Sequence, residues 1–226
     1  GLRLGENLII KNCNFTNNFA QVAAGAIGVY GNNTKVIGCN FVSNKVKPTS
    51  NHEAYGGAIQ IGRDEYNLCS YVVNCSFINN GAIGRNLNNS HGGAGCVRAG
   101  IIYQNCKFIN NSAGQGGALT YHASGSIEDC VFINNSAKLY GGALSTGYID
   151  GDMELIVVNC NFEQNNAPYG GAVQLKGKNI EIHKSIFNKN IAAINGGAIN
   201  IIAKTVTVDD VEFNKNIANV NGGAIY

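Results

Sequence analysis

The chain has 226 residues, a formal net charge of +2 and a charged fraction of only 13%. This charge is too small and too dispersed for a nucleic-acid-binding surface, and no apolar run approaches the roughly 20 residues of a membrane-spanning helix. Thirty glycines against two prolines, together with many asparagines, indicate a chain with frequent turns.

A repeated motif runs from the beginning of the chain to its end. Phe followed three residues later by Asn occurs eight times. The phenylalanines are Phe15, Phe41, Phe77, Phe108, Phe132, Phe162, Phe187 and Phe213. A Gly-Gly-Ala-aliphatic element follows each copy, as at Gly56–Ile59, with departures at Ala24 and Gly95. The Phe-to-Phe spacings are 26, 36, 31, 24, 30, 25 and 26 residues, which indicates a unit of 24 residues with insertions.

Each unit is predicted to contain three short strands. The first has alternating apolar residues, as at Leu8 and Ile10; the second is Cys-x-Phe; the third is the Gly-Gly-Ala-aliphatic element, with Ile59 and Ile61 inward. Since the turns are too short for crossover helices, each unit must stack on the next. We predict an all-β fold, a right-handed single-stranded parallel β-helix of about eight coils, with residues 1–226 as one domain.

Stacked coils place equivalent residues in ladders. Six cysteines precede the phenylalanines in one inward column: Cys13, Cys39, Cys75, Cys106, Cys130 and Cys160. Because their Cβ vectors are parallel, we expect free thiols that pack as small apolar groups, a disulfide framework being the alternative. Ser185 and Val211 take the last two positions of this column. Cys69 and Cys96 lie outside it and are the candidates for a disulfide, with two free thiols as the alternative.

Two other motif residues have predicted structural roles. The Asn of each Phe-x-x-Asn is expected at a turn, where its amide bonds to the coils above and below. Gly57 and its equivalents are expected to point inward, where a side chain would collide with the Phe column or the turn.

The ends of the chain interrupt the repeat. Leu2–Leu4 aligns with Val173–Leu175, and the chain stops within another Gly-Gly-Ala element, at Tyr226. We therefore expect the 226 residues to be a fragment of a longer array.

The alternation of Phe-x-x-Asn with Gly-Gly-Ala-Ile resembles the repeat of chlamydial polymorphic membrane proteins. The repeat is rich in Asn and Lys, and in this it resembles still more closely the adhesin-like surface proteins of methanogenic archaea. The resemblance covers essentially the whole chain. It implies an extracellular or cell-surface β-helical module, used in attachment to a host or syntrophic cell-surface protein or glycan, with any membrane anchor in other parts of the parent protein. It implies no catalytic residues.

Insertions are the expected place for a binding site. Two occur at the same point of neighbouring units, Lys45–Glu53 and Gly81–His91, and a third is Gly62–Leu68. The candidate binding residues that they supply are Lys45, Lys47, His52, Glu53, Arg63, Tyr66, Arg85 and His91. The alternative is that they are tolerated, solvated loops with surface histidines.

Other surface features are compatible with a glycoprotein that binds sugars. Tyr55, Tyr140 and Tyr169 each precede a Gly-Gly pair and could stack on sugar rings, although packing at the turn is the simpler reason for them. Asn-x-Ser/Thr sequons begin at Asn14, Asn32, Asn74, Asn88, Asn110 and Asn134.

Parallel β-helices also include carbohydrate-active enzymes, so function must be decided by the side chains. A glycosidase requires two carboxylates at a defined separation. The outward positions beside Phe, and those after Gly-Gly-Ala (Gly28, Gln60, Thr120, Ser145, Gln174 and Asn200), include no such pair. No His lies at ligand spacing to a pair of Cys. We therefore predict no catalytic residue, metal or cofactor, and the alternatives to an adhesive module are a passive stalk and, less favoured, an enzyme.

Overall fold

The computed structural model describes residues 2–4, 7–31, 33–49, 52–62, 70–147 and 153–226. These residues form eight stacked coils whose strands all pair in parallel. The prediction of an all-β parallel β-helix is confirmed, with three sheets forming its sides.

Sheet 1 has 14 strands and combines two of the predicted strand types. The strands that precede the Cys column are Ile9–Lys11, Lys35–Ile37, Ser70–Val73, Ile101–Gln104, Gly125–Glu128 and Glu154–Val158. The strands of the Gly-Gly-Ala element are Leu2–Leu4, Ile27–Val29, Ile59–Ile61, Gly95–Val97, Leu119–Tyr121 and Leu144–Thr146. Two long strands, Val173–His183 and Ile199–Asp209, run through both positions because no insertion separates them.

Sheet 2 has eight strands, one for each Cys-x-Phe position. They are Asn14–Thr16, Asn40–Val42, Ser76–Ile78, Lys107–Ile109, Val131–Ile133, Asn161–Glu163, Ile186–Asn188 and Glu212–Asn214.

Sheet 3 has ten strands and corrects the predicted division of the coil. Its strands follow Phe-x-x-Asn, in segments not predicted to be strands: Phe19–Ala20, Lys45–Val46, Ala54–Tyr55, Gly81–Ala82, Ser90–His91, Ser112–Gln115, Ser136–Tyr140, Asn166–Tyr169, Ile191–Asn195 and Ile217–Ala218. The predicted third strand is therefore the first half of sheet 1, and the third side of each coil is sheet 3. A 3-10 helix, Leu87–Asn89, lies within one insertion.

Three corners per coil each contain a residue in the left-handed conformation. The first corner, before the Cys column, has Asn12, Gly38, Asn74, Asn105, Asp129, Asn159, Lys184 and Asp210. The second, before the motif Asn, has Asn17, Ser43, Asn79, Asn110, Asn134, Gln164, Lys189 and Lys215. The third has Ala24, Gly56, Gly92, Gly116, Gly141, Gly170, Gly196 and Gly222. Gly and Asn tolerate positive φ better than other residues, which explains their abundance.

The motif asparagines form a buried ladder at the second corner, as predicted from the sequence. The side-chain Nδ2 of Asn111 donates to the carbonyl of Phe77 at 2.9 Å and to Asn135 Oδ1 at 3.0 Å. Its Oδ1 accepts from the backbone N–H of Asn80 at 2.9 Å and from Asn80 Nδ2 at 3.1 Å. Each such amide thus joins three successive coils.

The interior is a stack of aromatic rings and thiols. The eight motif phenylalanines stack with ring centroids 4.7 to 5.3 Å apart. Each inner ring is fully buried, and burying one Phe side chain stabilises a fold by about 1.5–3 kcal/mol.

Two sequence departures have structural reasons. Gly95 replaces the aliphatic residue because Tyr103 fills its place: a Cβ at Gly95 would lie 2.8 Å from Tyr103 Oη. Ser185 substitutes for Cys because its hydroxyl accepts from the Cys160 N–H at 3.1 Å, as Cys39 Sγ accepts from the Cys13 N–H at 3.4 Å.

The second glycine of the Gly-Gly pair is required by the neighbouring coil. A Cβ at Gly142 would overlap the carbonyl oxygen of Gly171. The collision is therefore with the backbone of the next turn, and the Phe column is not among its nearest contacts.

Candidate functional site

The two paired insertions lie side by side on sheet 3. Each interrupts this sheet at the same place, and Lys45 pairs with Gly81 before the break while Tyr55 pairs with His91 after it. The second insertion is held by its own hydrogen bonds: Ser90 Oγ accepts from the Gly84 N–H at 2.8 Å and donates to the Asn86 carbonyl at 3.1 Å.

A groove forms where the insertions leave sheet 3. It spans three coils and is lined by Phe19, Lys47, Pro48, Thr49, Ile83, Gly84 and Arg85. Phe19 is 59% exposed and Ile83 48% exposed, although both are large and apolar. Lys45, Lys47 and Arg85 are exposed too, and in the part of the chain that the structure describes no ion pair involves them. We call this surface the insertion groove.

The structure brings some of the predicted binding residues together and separates others. Lys47 and Arg85 line the insertion groove, and Lys45 lies beside Phe19 in the sheet register. His52 is exposed and Glu53 half-buried at the far end of the first insertion. Arg63 and Tyr66 lie outside the described residues.

His91 is buried, which corrects the prediction of a surface histidine. Only 5% of its surface is exposed. Its ring stacks on Tyr55 at 5.3 Å and meets the His122 ring edge-on at 5.0 Å, and Arg98 lies 5.1 Å from the centre of the Tyr55 ring. Burial, with smaller contributions from His122 and Arg98, lowers the pKa of His91 to about 3. His91 is therefore a neutral packing residue at neutral pH.

The outward residues after Gly-Gly-Ala were expected on the surface and are instead buried. Between 0% and 9% of the surface of Gln60, Thr120, Ser145, Gln174 and Asn200 is exposed. The left-handed glycine turns the chain sharply, so residues that end sheet 3 strands at this corner, such as His91, Gln115 and Tyr140, lie over this part of sheet 1. We call the resulting concave strip, which runs along the coils, the corner shelf. The sequence did not predict that these residues are buried, because the alternation along a strand indicates which face a side chain is on but not what covers that face.

The predicted thiol column is present with free cysteines. Cys39, Cys75, Cys106, Cys130 and Cys160 are buried and Cys13 is half-buried. Burial raises the pKa of the Cys106 and Cys160 thiols. Cys96 is buried in the corner shelf, where burial raises the pKa of its thiol to about 12. Cys69 lies outside the described residues, so the pairing of Cys69 with Cys96 stays a prediction.

Five of the sequon asparagines are on the surface. Asn14, Asn74, Asn88, Asn110 and Asn134 are exposed, and Asn32 lies outside the described residues. Glycosylation at these positions stays a prediction.

The structure brings together a group of titratable side chains that the sequence analysis did not identify. His183 Nε2 lies 3.2 Å from Glu181 Oε2, and His183 Nδ1 lies 3.7 Å from Asp209 Oδ2. Asp209 is 73% exposed, and both carboxylates contact the same imidazole instead of facing each other across a cleft. Within the described ranges, no group of three His, Cys, Asp or Glu side chains could hold a metal ion, and no helix there is long and apolar enough to cross a membrane.

Comparison with known proteins supports the repeat assignment. The family model for the Chlamydia polymorphic membrane protein repeat matches residues 129–147 and 210–226. Each matched segment begins at a first corner and ends at or just after a Gly-Gly-Ala element, at Leu144 and Ile225. No curated protein and no solved structure matches the chain. The chain is thus similar to this repeat over parts of two coils, and the likeness to methanogen adhesin-like proteins stays a prediction.

Proposed function

We propose that the protein is an adhesin-like module of a cell-surface protein, which attaches to a protein or glycan of a partner cell through the insertion groove. The observation that carries the proposal is the groove itself. It combines exposed apolar side chains with cations that no described carboxylate neutralises. Surface placement is supported by the similarity to a repeat named for membrane proteins.

The repeated residues are not available to bind a partner. The motif Phe, Cys and Asn side chains and the Gly-Gly pairs are used within the coils, where they stack and bond to their copies. Recognition must therefore use residues that do not repeat, and the paired insertions are the largest described group of these. An exposed apolar patch beside positive charge suits a partner with anionic and apolar groups.

A passive stalk is the second candidate. It is favoured by the low charge and by a ladder structure that continues from one end of the described chain to the other. A stalk requires no unpaired cations around an apolar groove, so the two functions predict different outcomes for charge reversal there.

The test is a cell-attachment assay with the labelled 226-residue protein. The double variant Lys47→Glu and Arg85→Glu should lose at least tenfold in bound protein. The matched control, Lys11→Glu and Lys107→Glu, reverses two exposed charges on sheets 1 and 2 and should bind as the wild type does. Attachment should weaken with added salt, since the screening length falls to about 10 Å at 0.1 M ionic strength. Equal attachment by both double variants would assign the contact to another surface, and no attachment by any of the proteins would favour the stalk.

A further inference from the structure

The corner shelf is filled by large side chains in some coils and left open in one. In the third and fourth coils the rings of His91 and His122 cover it. In the fifth coil, Ser145 is in register with Thr120, and Gly147 lies against the His122 ring. A cavity of about 190 Å³ lies there, lined by Gln115, Tyr140, Thr146, Gly147, Gln174, Lys176 and Ile202.

The small residues of the fifth coil shape this cavity. A Cβ at Gly147 would overlap the His122 ring, so the position has no room for a side chain beside that ring. Lys176 and Ile202 line the cavity from the next two coils. Tyr140 forms the wall and lies beside Tyr169, with ring centroids 5.6 Å apart.

Two buried amides offer unused hydrogen-bonding atoms to the cavity. Gln115 is 1% exposed, and its Nε2 donates to the Asn88 carbonyl at 2.8 Å. Gln174 is 9% exposed, and its Oε1 accepts from Asn200 Nδ2 at 2.6 Å. Among the residues that the structure describes, Gln115 Oε1 and Gln174 Nε2 have no partner. Neither atom is among the fully buried side-chain atoms without a partner, so both can bond to water in the cavity, and a ligand hydroxyl can take the place of that water.

The lining selects a class of ligand. One acceptor, one donor and a tyrosine ring match a molecule with neighbouring hydroxyl groups and an apolar ring face. A single lysine and no described carboxylate among the lining residues make the cavity a poor site for a polyanion or a metal cation. The volume suits one small ring better than a nucleotide or a peptide.

We infer that this cavity binds one neutral pyranose unit of a glycan. The ring face of the sugar packs on Tyr140, and its hydroxyls donate to Gln115 Oε1 and accept from Gln174 Nε2. The site is separate from the insertion groove and does not depend on the attachment function proposed above.

Saturation-transfer NMR with the wild-type protein tests the inference, using methyl glycosides of glucose, galactose, mannose and N-acetylglucosamine at millimolar concentration and inorganic phosphate as an anionic probe. At least one glycoside should receive saturation and show a titratable millimolar affinity. Ser145→Gln should abolish binding, because Ser145 is in register with Gln174, whose side chain lines the cavity, and a Gln at position 145 would extend into the same space. Tyr140→Gln, which copies Gln115 of the preceding coil, should weaken binding at least tenfold.

Tyr55→Gln is the matched control, because it removes a tyrosine from the same column three coils away. It should bind as the wild type does, and all three variants should have the circular dichroism spectrum of the wild type. Transfer to no glycoside, detectable binding of phosphate alone, or equal affinity in Ser145→Gln and the wild type would each overturn the inference. The Lys47→Glu and Arg85→Glu variant should bind the sugar normally, so this result and the attachment result can fail independently.

Discussion

Buried His91 should make the stability of this β-helix depend on pH. Its pKa is lowered from an ordinary 6.5 to about 3 by burial, and secondarily by His122 and Arg98. The unfolded chain therefore binds a proton at His91 between pH 6.5 and pH 3 that the folded chain does not bind. The free energy of unfolding is unaffected by this residue above pH 6.5 and decreases as the pH falls through that window.

The size of the effect follows from the two pKa values. At pH 5 the pH is about 1.5 units below the pKa of His91 in the unfolded chain. Protonation of the unfolded chain therefore lowers the free energy of unfolding by about 2 kcal/mol. His91→Gln is the informative variant, because Gln115 occupies the equivalent position of the next coil and has no titratable group. We expect this variant to lose about 2 kcal/mol less than the wild type between pH 7 and pH 5.

Urea unfolding at pH 7 and pH 5, followed by circular dichroism, measures the difference. His52→Gln serves as the control, since His52 is exposed, and should lose as much stability as the wild type does. Carboxylates titrate alike in all three proteins and cancel in the comparison. If the wild type and His91→Gln lose equal stability on acidification, the burial of His91 does not govern the pH dependence, and the reasoning is wrong.

Four further predictions concern the ladders and the thiols. Asn111→Ala should lower the free energy of unfolding by roughly 3–5 kcal/mol in urea unfolding, because several buried groups lose their partners, whereas exposed Asn88→Ala should cost little. Tyr103→Phe should raise it by about 1 kcal/mol, because the Tyr103 hydroxyl is buried without a hydrogen bond; a loss of stability would mean that the hydroxyl has a partner. Lys189→Asn should raise the midpoint of thermal unfolding by relieving a left-handed lysine at φ 54°, with a gain of about 0.5–1 kcal/mol, and an unchanged midpoint would count against corner strain. Mass spectrometry after alkylation under denaturing, non-reducing conditions should find the six column cysteines alkylated, and a peptide joining Cys69 to Cys96 would establish that disulfide.

The sequence by itself was sufficient for the repeat, the parallel β-helix and the identity of the ladders. A residue that recurs in every coil meets its own copy above and below, so the Phe spacing implies the Phe stack and the motif Asn implies the amide ladder. It also located the paired insertions, because their positions relative to the motif are the same in both units. The division of each coil into sheets was less predictable: sheet 3 strands such as Gly81–Ala82 are two residues long and have no alternation to detect.

Only the tertiary structure decided what covers each surface. The left-handed glycine at the third corner turns sheet 3 over sheet 1, and that single bend buries His91 and the outward amide of Gln174. It also leaves a cavity in the one described coil where Ser145 and Gly147 coincide. Gly95 is explained in the same way, since its missing side chain is supplied by Tyr103 from the following strand. Each of these contacts joins residues of different strands across a corner. They depend on side chains that differ from coil to coil, so the repeat pattern of the sequence does not predict them.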